Sequence, residues 1–437
     1  MSSSPISTRG ALVRALTVAL LVAIGLTACA TVDGEEADDE GRPVEISVFW
    51  WGAERRAELT QQALDVYAGR HPGVTFKVTW QGNSGYYDRL SSEAAGGNAP
   101  DLFQIDDNYL TEYAERNVVL DLTPYVEDGE LDLSGFPSSL VQYGQIAGRT
   151  VGVAAAANTP GMVYNKTLLA ELDVEEPTIG MTYDELIDWA AEITALTGGE
   201  VAGTMDPSGD YKALWLWLRT QDKELYQGRQ LGFGVQDLTA WFELWAQARA
   251  VDATPTAELV KLANSGDVTQ QLVATRDAAT SFMWSNQLAE LQKHTSDDLG
   301  VVSYPGDPQG QWARASMYWS GFRGTRHPDV VVDVIDFLVN DPQAGRILGT
   351  ERGLSSNLDV REIVQSTLAD EKMKASVAFE QQMAELFGSA PVPPPRGHTK
   401  IRSLLIIAAE SVQGGQATPQ EAAERFVAQA NADLSAS

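Results

Sequence analysis

From residue 45 onward, the pattern of apolar and polar residues switches between one typical of strands and one typical of helices. Residues 45–50 are rich in β-branched and aromatic side chains, which predicts a buried strand. Residues 53–69 instead repeat apolar side chains at helical spacing until His71-Pro72-Gly73 ends the helix. The next predicted elements are a strand, a helix and a strand, at residues 74–80, 87–95 and 101–105. This β-α-β-α-β order predicts an α/β fold with a mostly parallel sheet and helices on both faces.

A second α/β region follows with the same alternation. Residues 150–155 form its first predicted strand, and residues 158–161 form the loop after it. Thr182 and Glu185 have the spacing of a capping box at the start of a helix. The later predictions are a helical stretch, a strand, a helix, a strand and a helix, at residues 212–250, 280–284, 286–293, 299–304 and 330–339. Because ligands of open α/β sheets bind beyond the carboxyl ends of the strands, we expect the functional site there.

The first 28 residues have the features of a signal peptide. Residues 15–26 form an apolar run behind Arg9 and Arg14, and the run is shorter than the roughly 20 residues that span a bilayer. It ends in Leu26-Thr27-Ala28-Cys29, which resembles the bacterial lipobox, and the resemblance implies cleavage after residues 1–28 and attachment of diacylglycerol to Cys29. Residues 29–43 are acidic and have little to bury, which predicts a solvated tether. The alternative is an ordinary signal peptide followed by a free cysteine.

Composition argues against several classes of function. The formal net charge of −29 and the lack of a basic cluster argue against binding to nucleic acid. The four histidines stand at no metal-ligand spacing, so we expect neither a metal nor another cofactor. The motifs GxSxG and GxxxxGK[S/T] do not occur, which disfavours the common hydrolases and nucleotide-binding proteins.

Several separate segments combine into a recognisable order of motifs. They are Val48-Phe49-Trp50-Trp51, Gly96-Gly97-Asn98-Ala99-Pro100-Asp101-Leu102, Pro160-Gly161-Met162-Val163-Tyr164-Asn165-Lys166, Phe282-Met283-Trp284 and Gly353-Leu354-Ser355-Ser356-Asn357. In this order and spacing the segments resemble the extracellular solute-binding proteins of ATP-driven sugar importers, the family that includes maltose-binding protein. The resemblance covers nearly the whole chain after Cys29.

The resemblance implies a type II-like periplasmic-binding-protein fold with two lobes, each a mostly parallel sheet flanked by helices, joined by hinge crossovers. One lobe is expected to comprise residues 44–150 plus 312–350, and the other residues 151–311 plus 351–437. The resemblance also implies a protein without enzymatic activity that captures a carbohydrate between its lobes, with an oligosaccharide favoured, and delivers it to the permease of an ABC importer. We expect a monomer tethered by its lipid anchor to the outer face of the cytoplasmic membrane.

Aromatic side chains are the first candidates for the site, because flat rings stack on the apolar faces of sugars. Trp51, Trp284 and Trp319 stand at strand ends or beside loops and glycine, where a ring can face a cleft. A buried indole explains each of them equally well. Trp215 and Trp217 lie two residues apart on a predicted helix and point to different faces, so one can reach a ligand while the other packs.

Polar candidates follow the same strand ends. Asp106 and Asp107 come directly after the third strand, where they either accept sugar hydroxyls or cap a turn at Asn108. Asn158 occupies the corresponding loop of the second region, and Asn286 follows the strand at residues 280–284. Their amides are candidate partners for sugar hydroxyls.

Arginine and tyrosine side chains are further candidates for binding the ligand. Arg55, Arg56 and Arg352 can pair with the carboxylate of an acidic sugar, although solvated arginine on a helix face explains them as well. Tyr86, with Tyr87, either stacks on a sugar or begins an amphipathic helix. Two other functions stay open, namely the binding of a polyamine-like solute and, from a different class, a surface-anchored glycoside hydrolase.

Overall fold

The computed structural model describes residues 43–264 and 267–436. The predicted signal peptide, Cys29 and nearly all of the acidic tether lie outside the described residues. Within the described ranges, no helix combines the length and the apolar character needed to cross a membrane.

Strands of the described residues form two larger sheets and two hairpins. The strands are β1 (Val44–Trp51), β2 (Val74–Gln81), β3 (Leu102–Ile105), β4 (Gln145–Ile146), β5 (Arg149–Thr150), β6 (Val153–Asn158), β7 (Pro160–Asn165), β8 (Tyr226–Gln227), β9 (Gln230–Leu231), β10 (Thr280–Trp284), β11 (Leu299–Ser303), β12 (Arg314–Gly321) and β13 (Leu354–Ser355). A six-stranded sheet has the order β13-β6-β12-β3-β1-β2, and a three-stranded sheet has the order β10-β7-β11. The hairpins are β4-β5 and β8-β9.

Helices alternate with these strands. They are α1 (Glu54–Arg70), α2 (Tyr86–Ala95), α3 (Asp107–Glu115), α4 (Thr123–Glu127), α5 (Ser138–Tyr143), α6 (Lys166–Leu172), α7 (Tyr183–Leu196), α8 (Tyr211–Arg219), α9 (Val235–Ala250), α10 (Ala257–Ala263), α11 (Leu272–Thr275), α12 (Leu288–Leu291), α13 (Pro328–Asn340), α14 (Pro342–Leu348), α15 (Leu358–Gln365), α16 (Glu371–Ala384), α17 (His398–Gln413) and α18 (Pro419–Ala436). Short 3₁₀ turns lie at Val268–Gln270, Ser285–Gln287, Gln292–His294 and Pro308–Gly310.

Strand direction follows the route of the chain between the sheets. The α/β class is confirmed, and β1 lies parallel to both β2 and β3. β12 is antiparallel to β3 and to β6, and the three-stranded sheet is antiparallel throughout. The prediction of mostly parallel sheets is therefore wrong for these strands. The chain leaves the six-stranded sheet through β6 and returns to it through β12, so the two strands pair in opposite directions.

Two segments differ from their predicted extents. The strand expected at residues 150–155 is β6, which lies three residues later and belongs to the six-stranded sheet. The helical stretch expected at residues 212–250 is divided into α8 and α9 by the β8-β9 hairpin. The capping box at Thr182 and Glu185 is confirmed, since both of its hydrogen bonds are present at the start of α7.

The buried apolar residues form separate clusters on the two sheets. Trp50 and Tyr67 belong to an apolar cluster that α1 and α13 form on one face of the six-stranded sheet. Tyr86 and Tyr113 belong to a second cluster on α2 and α3. A larger cluster surrounds β7 and β10 and includes the fully buried Trp241 and side chains of α7, α8, α9, α17 and α18. The ends of β3 and β10 thus emerge from separate cores.

Candidate functional site

Trp284 lies at the centre of a group of polar and aromatic side chains from both sheets. It is the last residue of β10 and is half-buried. The guanidinium of Arg314, from β12, lies 4.8 Å from the centroid of its ring, and the ammonium of Lys212, from α8, lies 4.7 Å from it. Cations at such distances are attracted to the electron-rich face of an indole. One strand from each sheet, β10 and β12, and the helix α8 therefore meet at one aromatic ring.

Two carboxylates at the end of β3 complete one side of this group. Asp107 is 2% exposed and accepts two hydrogen bonds from the guanidinium of Arg314. Burial alone would raise the pKa of Asp107, but the charge and hydrogen bonds of Arg314 lower it below its ordinary value. Asp106 caps α3 by accepting a hydrogen bond from the backbone N–H of Asn108 at 2.9 Å. Burial, followed by the charge of Asp107, raises the pKa of Asp106.

Aromatic rings line the wall beside Asp106. Tyr87 and Tyr109 are stacked with their centroids 3.6 Å apart, and the hydroxyl of Tyr87 accepts a hydrogen bond from the backbone N–H of Asp106 at 2.7 Å. Trp51, at the end of β1, lies 5.9 Å from Tyr87 and is 9% exposed. The carboxyl ends of β1 and β3 thus meet at the same edge, as the parallel arrangement predicts.

The opposite wall comes from α8 and α17. Lys212 forms an ion pair with Asp210 at 3.1 Å, and burial lowers the pKa of Lys212 while Asp210 opposes this effect. The guanidinium of Arg402 lies 4.6 Å from the ring centroid of Tyr211. His398, the first residue of α17, is fully buried, and its Nδ1 lies 2.6 Å from the hydroxyl of Tyr226. Burial, followed by the charge of Arg402, lowers the pKa of His398 to about 3, so this imidazole is neutral.

The two asparagines predicted from the sequence border this group. Asn158 ends β6 and is the partner of Arg314 in the register of β6 and β12. Its Oδ1 is buried and accepts no hydrogen bond from a described residue. Asn286 lies two residues after Trp284, and its Oδ1 is likewise buried without a described partner. Both amide oxygens therefore have unused hydrogen-bonding capacity and are shielded from solvent.

Asn286 also lines a polar cavity of about 610 Å³. Residues of α1, α12, α14 and α16 and of the adjoining turns surround it, among them Arg55, Asn286, Glu290, Lys293, Glu351 and Met373. Arg55 is largely exposed and forms an ion pair with Glu58 at 3.1 Å. The cavity brings Arg55 and Asn286 together, and no residue of α17 lines it.

Several sequence candidates lie in the core. Tyr86 is fully buried and donates its hydroxyl hydrogen toward the carbonyl oxygen of Gln104 at 2.6 Å. Trp215 is 2% exposed and donates to Glu224 at 2.6 Å, while Trp217 is half-buried against Trp241. Trp319 is 1% exposed and packs in the α1 and α13 layer. Tyr86, Trp215 and Trp319 present little or no face to solvent, and Trp217 packs on Trp241 in the cluster around α9. These rings are therefore not part of the proposed site.

The arginines of the sequence hypothesis are also engaged elsewhere. Arg352 is 5% exposed and donates to Gln104 at 3.1 Å and to Thr60 at 2.8 Å. Burial lowers the pKa of Arg352 well below its ordinary value. Arg56 donates to the carbonyl oxygen of Trp51 at 3.2 Å and pairs with Glu351 at 3.5 Å. These arginines connect β1, β3 and the segment before β13, which is a structural role.

Sequence reasoning missed Lys212, Tyr211, Arg314, His398 and Arg402. Lys212 appeared only as the start of a helical stretch, and His398 only as a histidine without metal-ligand spacing. The one local signal was Asp210, whose side chain caps α8 by accepting from the backbone N–H of Lys212 at 2.8 Å. Within the described residues, no group of three or more histidine, cysteine, aspartate or glutamate side chains is placed to hold a metal ion.

Comparison with known proteins adds a family and a set of similar structures. A family model for a bacterial extracellular solute-binding protein matches residues 62–380. A family 1 extracellular solute-binding protein from Alicyclobacillus acidocaldarius has a similar fold, with a TM-score of 0.74, 24% identity and coverage of 90% of this chain and 99% of that one. A periplasmic oligogalacturonide binding protein from Yersinia enterocolitica has a TM-score of 0.76 and 21% identity, with coverage of 90% and 99%. The sugar-binding protein MalE from Xanthomonas citri has a TM-score of 0.74 and 16% identity, with coverage of 90% and 98%.

At these identities the solved structures show similarity of fold alone. In sequence, the chain is 26% identical to a binding protein of Brucella abortus over 147 residues, which are 33% of this chain and 34% of that protein. The match thus spans about a third of the length of the curated relatives.

Proposed function

The chain belongs to the bacterial extracellular solute-binding proteins, and on this premise we propose that it captures a carbohydrate and delivers it to the permease of an ABC importer. The observation that supports this proposal best is the half-buried ring of Trp284, which Arg314 of β12 and Lys212 of α8 approach. A sugar needs an apolar platform for its ring face and paired donors and acceptors for its hydroxyls. Trp284, Asn158, Asp106 and Arg314 supply these groups within one region.

Closure of two lobes over the ligand would follow from the route of the chain. We propose the division into residues 44–150 plus 312–350 and residues 151–311 plus 351–437, with β6 contributing to the sheet of the first lobe. The chain passes from β6 to β7 at Thr159 and from β11 to β12 between Ser303 and Arg314. Rotation at a few such connecting residues is a common mode of domain closure around a ligand.

Charge at the site favours a carbohydrate over a cationic solute. The cationic groups of Lys212 and Arg314 already lie near the ring of Trp284, so this ring is not a free cation–π platform for a polyamine. We also propose that the protein performs no chemistry on its ligand, works as a monomer, and is attached through Cys29 to the outer face of the cytoplasmic membrane. The fold similarity to an oligogalacturonide binding protein and to MalE supports the carbohydrate class.

Titration calorimetry with a library of neutral and acidic glycans tests this function. We expect at least one glycan to bind and to change the tryptophan fluorescence. Trp284→Ala should weaken that binding by about 1–3 kcal/mol, by analogy with the loss of other aromatic stacking platforms. Trp80→Ala is the matched control, since Trp80 is 43% exposed on the edge strand β2, and it should leave the affinity unchanged.

Two outcomes would contradict the proposal. If no glycan in the library binds to the folded protein, the carbohydrate class is wrong. If a bound oligosaccharide is instead cleaved into shorter products, the glycoside hydrolase alternative replaces solute capture.

A further inference from the structure

We infer that the captured carbohydrate is acidic, and that Arg402 and the first turn of α17 bind its carboxylate. This inference rests on the proposed function, because it concerns the wall of the same site. It differs from the sequence hypothesis, in which Arg55, Arg56 and Arg352 were the candidates for pairing with such a carboxylate and solvated arginine was the alternative.

Among the residues that the structure describes, Arg402 is the cation of this site without a carboxylate partner. Lys212 is paired with Asp210 at 3.1 Å, and Asp107 holds Arg314 through two hydrogen bonds. Arg402 forms no ion pair with the described residues, and its guanidinium instead lies 4.6 Å from the ring centroid of Tyr211. A partly buried guanidinium that a ligand encloses needs a compensating anion, since enclosure removes the water that solvates it.

The first turn of α17 supplies one backbone donor near Arg402. The N–H groups of His398 and Lys400 donate to the carbonyl oxygens of Pro395 and Gly397, whereas the N–H of Thr399 has no acceptor among the described residues. α17 has 16 residues, and its N-cap is Gly397, which forms no side-chain cap. The N-terminal amides of a helix and its positive dipole end favour an anion. Gly397 has φ 89°, a left-handed conformation that suits glycine, and it has no side chain that could compete with a ligand for the N–H of Thr399.

His398 gives an independent indication that a ligand completes this wall. The imidazole is fully buried, and its Nε2 has no hydrogen-bond partner among the described residues. Its Nδ1 is occupied by the hydroxyl of Tyr226 at 2.6 Å. When the hydroxyl of Tyr226 donates to Nδ1, Nε2 carries the hydrogen and is a free donor. A neutral donor next to a guanidinium and a helix N-terminus matches a carboxylate oxygen.

The acidic groups of the site oppose such a ligand only weakly. The charge of Asp107 is offset by Arg314, and that of Asp210 by Lys212. Asp106 holds its proton more readily than an ordinary aspartate because it is buried beside Asp107. The guanidinium of Arg402 therefore dominates the charge that a ligand meets at α17.

Calorimetry with matched pairs of ligands tests the inference. The ligands are galacturonate oligomers of two to four units and their methyl esters, which have the same rings without the charge. We expect the unmodified protein to bind the acid at least about tenfold more tightly than the ester. Arg402→Gln should lower the affinity for the acid by about this factor and leave the affinity for the ester unchanged, which removes the preference. Arg425→Gln is the control, since Arg425 is exposed on α18 and donates to the carbonyl oxygen of Glu421.

The outcomes separate this inference from the proposed function. Equal binding of acid and ester, or tight binding of neutral glycans that Arg402→Gln does not affect, would overturn the acidic ligand and leave carbohydrate capture in place. Failure of every glycan would overturn both. If Arg402→Gln unfolds, Arg402→Lys keeps the charge but not the fork geometry, and it should retain a preference for the acid over the ester.

Discussion

Glu380 is a carboxyl group buried beneath one of the crossings between the two sheets. It lies on α16, is 3% exposed and accepts a hydrogen bond from the hydroxyl of Ser285. The hydroxyl oxygen of Ser285 in turn accepts from the backbone N–H of Thr159 at 3.1 Å. Burial raises the pKa of Glu380 to about 7, while Ser285 and the charge of Arg361 oppose the rise. The residue that joins β6 to β7 is thus linked to a titrating group.

Glu380 makes stability depend on pH. The folded protein holds this proton more tightly than the unfolded chain, whose glutamate pKa is near 4.5. The stabilisation is therefore complete below that value and is lost as the pH rises through about 7. From pH 5 to pH 8, the free energy of unfolding of Glu380→Gln should rise by about 2–3 kcal/mol relative to that of the parent. Urea unfolding at the two pH values measures this, with the exposed Glu385→Gln as control; parallel pH profiles of Glu380→Gln and the parent would contradict it.

Residues at strand ends could be placed from the sequence, whereas residues brought in by distant elements could not. Trp284 and Asp106 follow apolar strands, so the end of the run indicates the site. Arg314 lies against the ring of Trp284 and Arg402 against the ring of Tyr211. The sequence around each arginine has no motif or spacing that indicates this position. Trp319 was a candidate because it stands near a glycine, with a buried indole as the equal alternative, and packing against α1 and α13 buries it. Such burial depends on neighbours far along the chain.

Among the elements, β13 pairs with the end of β6 that carries Asn158. It contains two residues at the edge of the six-stranded sheet and pairs with Ala157 and Ala156 of β6. Gly353 precedes it with φ +116°, and a Cβ there would lie 2.4 Å from Oδ1 of Asn158. The glycine therefore lets the edge strand approach the amide that we assign to the ligand.

Gly353→Ala should test this close approach. We expect a loss of about 1–3 kcal/mol in the free energy of unfolding, because the left-handed backbone and the contact with Asn158 both become strained. Glycan affinity should fall as well if Asn158 is displaced. Gly73→Ala is the matched control, since its Cβ would meet no atom within 4 Å. Unfolding curves and calorimetry of both variants measure the two effects, and an unchanged unfolding curve for Gly353→Ala would contradict the strain.

The order of elements was predictable because each strand and helix has its own period of apolar residues. The first strands and helices, from β1 to β3, appear within a few residues of their predicted positions. The direction of β12 and the membership of β6 were not predictable. Both depend on which sheet the chain enters next, and the loops that decide it contain no periodic signal. The β8-β9 hairpin was missed because its strands have two residues each.

At the scale of the whole molecule, the net charge and the proposed lipid anchor would have opposite effects on binding of the protein to the membrane. A formal net charge of −29 repels anionic lipid, so the folded protein would not collect there by itself. A diacyl anchor at Cys29 would overcome the repulsion, because each buried methylene contributes about 0.8 kcal/mol and two chains hold a soluble domain firmly. Under the proposed function, such an anchor would raise the local concentration of the binding protein beside a permease.

Replacement of Cys29 separates location from recognition. Cys29→Ala should release the protein from the membrane fraction into the medium, because no other cysteine can be lipidated. Solute affinity should stay unchanged, since the described fold begins at residue 43, whereas uptake of the solute by intact cells should fall. Fractionation, calorimetry and transport assays measure the three properties, with Thr31→Ala as the neighbouring control. A variant that remains membrane-bound would refute the anchor, and a variant with reduced affinity would show that the tether contributes to the site.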